Sequence, residues 1–226
     1  MTTLFVPSPA LLQEFVPLAP VPGRPDLLAH QAKDVFALWQ AWERETGEKQ
    51  DVPFWAAVWP AAQLLACFIS EAPCRVAGRT VLDLGCGSGV AGIAAAKAGA
   101  DRVLASDTDP VALAMAALNA AANGLELVLE GENLLREDCP EDVQVILAGD
   151  LFYERAASLK LLDWLQRARQ RGVEVLIADA SRPFAPKSGV RVISEATYAT
   201  DPDLEGVKQR LVRLLSLEAS LEPVPG

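Results

Sequence analysis

The chain has 226 residues, of which 51% are hydrophobic and 22% charged, which predicts one globular domain with a sizeable core and an N-terminal extension. Its formal net charge of −10 argues against a nucleic-acid partner, because phosphate recognition normally needs a basic face. The 4 cysteines show no metal-ligand spacing and His30 is the one histidine, so we expect reduced thiols and no zinc site.

The N-terminal 22 residues have no basic region ahead of their apolar residues and contain several prolines, which is unlike a signal peptide. No apolar run reaches a membrane-spanning length, so we expect no membrane contact and a cytoplasmic location. A helix is predicted over residues 25–45, ended by Gly47, because apolar residues recur there at helical spacing. A second helix is predicted over Pro60–Glu71 and ends before Pro73.

From residue 80 onward, strand patterns alternate with helix patterns, which predicts a parallel sheet with helices on both faces. Strands are predicted at residues 80–84, 102–106, 126–130, 143–148 and 173–178. Helices are predicted at about residues 89–98, from an Asp109 cap to Asn123-Gly124, and at about residues 154–171.

The C-terminal part breaks this alternation. Residues 190–200 and 207–217 are strand-like runs separated by a turn-rich segment, although Val207, Leu211 and Leu214 also fit helical spacing. We favour a closing antiparallel hairpin. The fold class is therefore α/β, with a Rossmann-like, seven-stranded and mostly parallel sheet.

A glycine-rich turn follows the first of these strands and can be aligned in two registers. Residues 87–92 match the dinucleotide pattern G-x-G-x-x-G, but that register places Asp83, Gly85 and Cys86 inside the strand, where they fit poorly. In the other register the turn begins at Gly85, and Asp83 ends the strand facing the ligand. Such an acid repels a pyrophosphate but suits the ammonium group of S-adenosylmethionine.

Asp83, Gly85, Cys86, Gly87 and Gly89 in this register resemble the class I S-adenosylmethionine-dependent methyltransferases over about residues 80–217. The resemblance implies that S-adenosylmethionine is the cofactor. Asp107 ends the second strand, where an acid can accept hydrogen bonds from both ribose hydroxyls. Asn133 or Glu132, after the third strand, is a candidate for the adenine amino group, although a solvated turn explains that segment equally well.

Two further motifs resemble the protein-lysine methyltransferase branch of that family. One is the run GDLFYE after the fourth strand, which contains Asp150, Tyr153 and Gly149, the last expected to contact the cofactor. The other is FWAAVWP, in which Trp59 is expected to pack near the cofactor. Together with IADASRP at residues 177–183, these runs are similar to the lysine methyltransferases of the electron-transfer flavoprotein β subunit and their bacterial relatives. The chain departs from that group at Ala180-Ser181, where the group typically has Pro-Gly.

The resemblance implies that residues 1–74 form a helical extension covering the cofactor site and residues 75–226 the methyltransferase domain. Asp150 is expected to orient a lysine ε-amine by a charge-assisted hydrogen bond, and Tyr153 to shape the acceptor pocket, with no metal. A lysine-bearing protein, such as the electron-transfer flavoprotein β subunit, is the expected partner. The alternatives are a small-molecule (nicotinamide-like) or ribosomal-protein N-methyltransferase, a non-catalytic cofactor-binding module and an NAD-dependent oxidoreductase.

Overall fold

A computed structural model describes residues 7–218, except for the side chain of Asp203. The N-terminal part contains α1 (Pro9–Phe15), β1 (Leu18–Val21), β2 (Arg24–His30), α2 (Val35–Thr46) and α3 (Pro60–Glu71). The rest contains β3 (Thr80–Leu84), α4 (Val90–Lys97), β4 (Arg102–Ser106), α5 (Pro110–Ala122), β5 (Val128–Glu130), β6 (Val145–Gly149), α6 (Arg155–Gln170), β7 (Glu174–Asp179), β8 (Val190–Ala199), α7 (Pro202–Glu205) and β9 (Gln209–Leu217). Short 3₁₀ helices lie at Phe54–Ala56, Pro73–Arg75 and Leu134–Arg136.

The main sheet has seven strands in the order β5-β4-β3-β6-β7-β9-β8. The first five strands of this order are parallel, and β9 pairs antiparallel with both β7 and β8. The central strands β3, β6 and β7 are nearly continuous apolar runs, as expected for strands that are buried on both faces. The predicted fold class and the closing hairpin are confirmed, and the helical alternative for the last segment is wrong.

Two hydrophobic clusters cover the two faces of this sheet. On one face α6, including Trp164 and Leu165, packs on side chains such as Leu82 and Ile146. On the other face α3 and α4 pack on side chains such as Leu147. Because β3 to β7 run parallel, their carboxyl ends meet at one edge of the sheet, where α/β proteins bind their ligands.

The predicted helix over residues 25–45 is wrong in its first half. Residues from Arg24 to His30 form a strand paired with β1, and burial alternates there because Leu27 and Ala29 point inward. The helix begins only after Asp34, whose side chain accepts a hydrogen bond from Ala37 N. Period-two burial thus overrides the weak helical spacing, and the N-terminal extension is a helix–hairpin–helix structure.

This extension packs on the outer side of α4 and α5. Val21, Leu27 and Ala29 of the β1–β2 hairpin contact a cluster that includes Ile93 and Ala120. Helices α4 and α5 are therefore covered on two sides, by the sheet and by the extension, which explains their alanine-rich composition. Within the described residues, no helix is long and apolar enough to cross a bilayer.

Candidate functional site

The glycine turn, residues 85–89, connects β3 to α4 at the carboxyl edge of the sheet. β3 ends at Leu84, and Gly85 and Gly89 have φ angles of 64° and 75°, in the left-handed region that favours glycine. A Cβ atom would lie 2.6 Å from Leu151 Cδ2 at Gly85 and 2.8 Å from the Ala116 Cβ at Gly89. The register that begins at Gly85 is therefore the one that the chain adopts.

Asp107 braces this turn from the end of β4. Its Oδ2 accepts a hydrogen bond from Gly87 N at 3.0 Å, and its Oδ1 accepts one from Asp109 N at 3.0 Å. Each carboxylate oxygen keeps further acceptor capacity. A Cβ atom at Gly87 would meet nothing within 4 Å, so the backbone of the turn faces open space beside this carboxylate.

Asp83 does not face that open space in the way the sequence predicted. The residue is only 3% exposed, and its Oδ2 accepts a hydrogen bond of 2.8 Å from Gly92 N in α4. Burial raises the pKa of this carboxyl group to about 7. Asp83 thus lies beneath the turn, where Gly92 approaches closely and provides a backbone donor. Glycine allows this approach, because a Cβ atom at position 92 would lie 3.0 Å from Asp83 Oδ2.

Cys86 contributes its backbone to the turn, with Cys86 N donating to Ser106 O at 3.0 Å. Its side chain packs with Ala105 and Ala116, and burial raises the pKa of the thiol far above its usual range. A thiol in this environment is unreactive. All 4 cysteines are free of disulfides in the structure.

A buried asparagine that the sequence analysis missed ties the N-terminal hairpin to the glycine turn. Asn119 of α5 has 0% exposure, and its Nδ2 donates to Ser88 O at 2.8 Å. Its Oδ1 accepts hydrogen bonds of 2.8 Å from both the backbone N and the ring Nδ1 of His30. One turn later Asn123 bonds both backbone groups of Leu28. Two asparagines four residues apart in an alanine-rich helix were the available sequence signal.

The acceptor side of the site begins at Gly149, at the end of β6. A Cβ atom there would lie 3.7 Å from the Cβ of Ala61, so α3 packs closely against this point. Asp150 follows with φ of 59°, and its carboxylate forms a bidentate pair with Arg182: Nε–Oδ1 is 2.7 Å and Nη2–Oδ2 is 2.5 Å. The sequence predicted a carboxylate available to an amine, whereas both oxygens of Asp150 already accept hydrogen bonds from a guanidinium group.

Arg182 belongs to a chain of alternating charges, Asp150–Arg182–Glu205–Arg210, which we call the ion-pair chain. Arg182 Nη2 also lies 3.0 Å from Glu205 Oε1, and Arg210 Nε lies 2.6 Å from Glu205 Oε2. These contacts fasten the segment between β8 and β9 to the carboxyl edge. The pairing with two carboxylates raises the pKa of Arg182 further, so this cation stays charged.

Trp59 caps the N-terminus of α3, and its Nε1 donates to Phe54 O at 2.8 Å. It lines a groove of about 210 Å³ together with Gln63 and Glu205, which brings it to the same side of the molecule as the ion-pair chain. Its predicted packing near a cofactor stays a prediction.

Two of the predicted site residues are exposed at the surface. Tyr153 is 67% exposed at the start of the α6 region. Asn133 is exposed and caps the 3₁₀ helix Leu134–Arg136, with its Oδ1 accepting from Leu135 N at 3.1 Å. In this structure Asn133 therefore lies in a solvated turn, and its contact with adenine stays a prediction.

Asp179 is a second carboxylate at this edge, which the sequence indicated only as a member of the run IADASRP. Asp179 ends β7 and lines a groove of about 490 Å³ with Ser181, Arg182, Lys187 and Arg213. Burial raises the pKa of Asp179 to about 6. In residues 7–218 no group of three or more histidine, cysteine, aspartate or glutamate side chains is placed to hold a metal ion.

Comparisons with known proteins agree with this picture. A family model described as ribosomal protein L11 methyltransferase (PrmA) matches residues 67–152. A curated relative from Xenopus laevis, named electron transfer flavoprotein beta subunit lysine methyltransferase, is 45% identical over 133 residues, which cover 58% of this chain and 53% of that protein. The human protein of the same name is 36% identical over 147 residues, covering 63% of this chain and 55% of that protein.

The chain thus spans about half the length of the curated relatives it matches. Among solved structures, a putative RNA methyltransferase from Pyrococcus horikoshii matches with a TM-score of 0.57 at 16% identity, covering 76% of this chain and 91% of that one. At this identity the likeness concerns the fold. The resemblance to class I methyltransferases, and within them to the electron-transfer flavoprotein β-subunit group, is confirmed.

The site fits S-adenosylmethionine, the cofactor that the resemblance implies. Asp107 has one hydrogen bond on each oxygen and further acceptor capacity, which suits two vicinal ribose hydroxyls. Asp107 places a carboxylate beside the open face of the turn, an arrangement unsuited to the pyrophosphate of a dinucleotide. This carboxylate therefore disfavours a phosphate-bearing ligand and suits S-adenosylmethionine, which carries no phosphate.

Proposed function

We propose that this protein is an S-adenosylmethionine-dependent N-methyltransferase that methylates lysine side chains of a protein. The electron-transfer flavoprotein β subunit is the proposed substrate, because the curated relatives carry its name. A protein partner also agrees with a net charge of −10, which disfavours nucleic acid. The cytoplasmic location stays a prediction from the sequence.

One observation carries this proposal. The braced glycine turn and the acidic acceptor side are neighbours, since Gly85 of the turn packs directly against Leu151, the residue after Asp150. A cofactor seated on the turn and an amine entering beside residues 150–153 would therefore meet at the carboxyl edge of the sheet.

The bound cofactor supplies a methyl group on a sulfonium for in-line transfer to a nucleophile. The protein must then orient the acceptor nitrogen and keep its lone pair available. Asp107 holds the turn in its binding shape, while Asp150, Arg182 and Glu205 fix the acceptor side as one connected unit. Tyr153 is exposed, and we expect it to contact the incoming side chain of the substrate.

A ribosomal protein is the second candidate substrate. The L11 methyltransferase model matches residues 67–152, which include the glycine turn and Asp150. That match ends before Asp179, Arg182 and Glu205, the residues that complete the acceptor side. We therefore rank it below the flavoprotein substrate, whose named relatives match 58–63% of this chain, whereas L11 methyltransferases match 34% of it.

The test is a methyl-transfer assay with labelled S-adenosylmethionine and three acceptors offered separately: purified electron-transfer flavoprotein β subunit, ribosomal protein L11 and nicotinamide. We expect label on lysine of the first, located by peptide mass spectrometry. Label on L11 alone would establish the second candidate. Binding of NAD with no binding of S-adenosylmethionine in calorimetry would overturn the proposal altogether.

Matched variants make the assay specific to the site. Asp107→Asn should weaken cofactor binding by about tenfold or more, because hydrogen bonds to a charged group contribute roughly 1.5–3 kcal/mol. Asp142→Asn is the control, since Asp142 forms an ion pair with Arg102 on the surface at the opposite end of the sheet. Equal cofactor affinity of the two variants would contradict the role of Asp107.

A further inference from the structure

Asp179 carries a buried oxygen with no partner in the described part of the chain. The residue is 5% exposed, and its Oδ2 accepts a hydrogen bond of 3.0 Å from Arg182 N, whereas its Oδ1 is buried and accepts none. A buried acceptor without a partner costs roughly 1–3 kcal/mol. Such a group in a native structure calls for a ligand or a function to explain it.

No ion pair to a cationic side chain compensates the charge of this carboxylate within residues 7–218, although backbone N–H groups and the more distant charge of Arg182 favour its ionised form. The guanidinium of Arg182 is turned to Asp150 and Glu205, so the groups that approach Asp179 are the backbone N–H groups of Arg182 and Ser181. Burial and the nearby charge of Asp150 both disfavour the ionised form of Asp179. A cation or an N–H donor bound here would relieve both penalties.

The position of Asp179 matches the expected place of the acceptor. It is the last residue of β7, and Asp150 N donates to Ala178 O at 2.9 Å, so the two acids stand at the ends of adjacent strands. Asp179 also lines the groove of about 490 Å³ described above. A long side chain could approach along this groove toward the carboxyl edge.

We propose that Asp179 Oδ1 is the hydrogen-bond acceptor that receives the acceptor amine, while Asp150, paired with Arg182, serves as a structural brace for that position. This inference rests on the proposed lysine methylation and deepens it. It assigns the amine-binding task to a residue of β7 in place of the residue after β6.

Asp179 would assist the transfer of the methyl group from sulfur to the acceptor nitrogen. The lysine ammonium first loses a proton to solvent, and the neutral amine donates an N–H to Asp179 Oδ1. The nitrogen lone pair then forms the bond to the methyl carbon as the methyl–sulfur bond breaks and its electron pair returns to sulfur. Positive charge develops on nitrogen directly beside the carboxylate, which stabilises it where little water is present.

Asp179→Asn tests this assignment because its effects on activity and stability should be opposite. We expect kcat/KM for lysine methylation to fall by about 100-fold, as when one preorganised electrostatic contact is removed. The affinity for S-adenosylmethionine should stay unchanged. The urea midpoint at about pH 8 should rise, because a buried carboxyl group with a raised pKa has been neutralised. Loss of stability in parallel with activity would indicate a merely structural residue and overturn the proposal.

Two comparison variants keep the outcome unambiguous. Asp142→Asn, the surface control, should retain wild-type activity. Asp179→Ala replaces Asp179→Asn if the latter does not fold, with rates normalised to the fraction that binds S-adenosylmethionine. Wild-type kcat/KM in a folded Asp179 variant would refute the role of Asp179 alone. A wild-type protein that binds the cofactor and methylates no lysine would refute the proposed function, and this inference with it.

Discussion

Replacing Asp83 with asparagine should make the protein more stable at neutral and alkaline pH. Asp83 is buried beneath the glycine turn, and its carboxyl group has a pKa of about 7 against an ordinary value of 3.8. Asparagine has the same shape, and its carbonyl oxygen can still accept the hydrogen bond from Gly92 N. The substitution therefore removes the buried charge and keeps the packing.

The sign and size of the effect follow from the raised pKa. Between about pH 4 and pH 7 the folded protein keeps a proton on Asp83 that the unfolded chain has released. The free energy of unfolding of the wild type therefore falls as pH rises through this window, and above it Asp83 causes no further loss. A gap of about three pKa units corresponds to at most ~4 kcal/mol. The free energy of unfolding of Asp83→Asn should therefore exceed that of the wild type by a few kcal/mol at about pH 8 and by much less at about pH 5.

Urea unfolding of both proteins at these two pH values measures the effect. The comparison isolates Asp83, because Asp179 titrates in both proteins and cancels in the difference. A stability difference that does not change with pH would refute the buried-charge explanation, as would a variant less stable than the wild type at about pH 8. Calorimetry at about pH 6.5 in two buffers tests the ligand role: an ammonium group close to Asp83 would favour its charged form and release protons on binding.

Three further substitutions test other parts of the site. Ser181→Gly should stabilise the protein by about 0.5–1 kcal/mol, because Ser181 has a φ of 62° that glycine adopts without strain; a lower melting temperature would show that the serine hydroxyl matters more than the backbone. Asn119→Ala should lower the unfolding free energy by about 1–3 kcal/mol and weaken S-adenosylmethionine binding, because Ser88 O loses its donor; unchanged calorimetric affinity would separate this residue from the turn. Gly89→Ala should cost about 1–3 kcal/mol and reduce cofactor affinity, since its Cβ would lie 2.8 Å from that of Ala116; wild-type unfolding and binding curves would contradict the contact.

Much of the fold could be predicted because the parallel strands are short apolar runs with glycine or aspartate at their ends. Thr80–Leu84 and Arg102–Ser106 begin and end where the sequence predicted. The extension was harder, since Leu28 and Val35 fit a helical period although the first lies in a strand and the second opens a helix. Only the packing of Leu27 and Ala29 on α4 and α5 decides between those two patterns.

In the site, too, some features could be predicted from the local sequence and others depend on distant contacts. The register of the glycine turn and the place of Asp107 follow from local geometry, because a strand end and a turn need particular residues. The direction of the Asp83 carboxylate depends on Gly92 in the next helix, and the state of Asp150 depends on Arg182, which lies 32 residues further along the chain. Contacts of this kind leave little trace in local patterns.

The sequence by itself therefore determined the α/β fold, the glycine turn that begins at Gly85 and the cofactor class, because each depends on residues that are neighbours in the chain. The tertiary structure alone decided which acid is available at the acceptor side. Parallel strands bring residues distant in sequence to one edge of the sheet, and there Arg182 neutralises Asp150 and leaves Asp179 Oδ1 without a partner among residues 7–218. The burial and pairing of each carboxylate, which no local pattern encodes, set its chemistry.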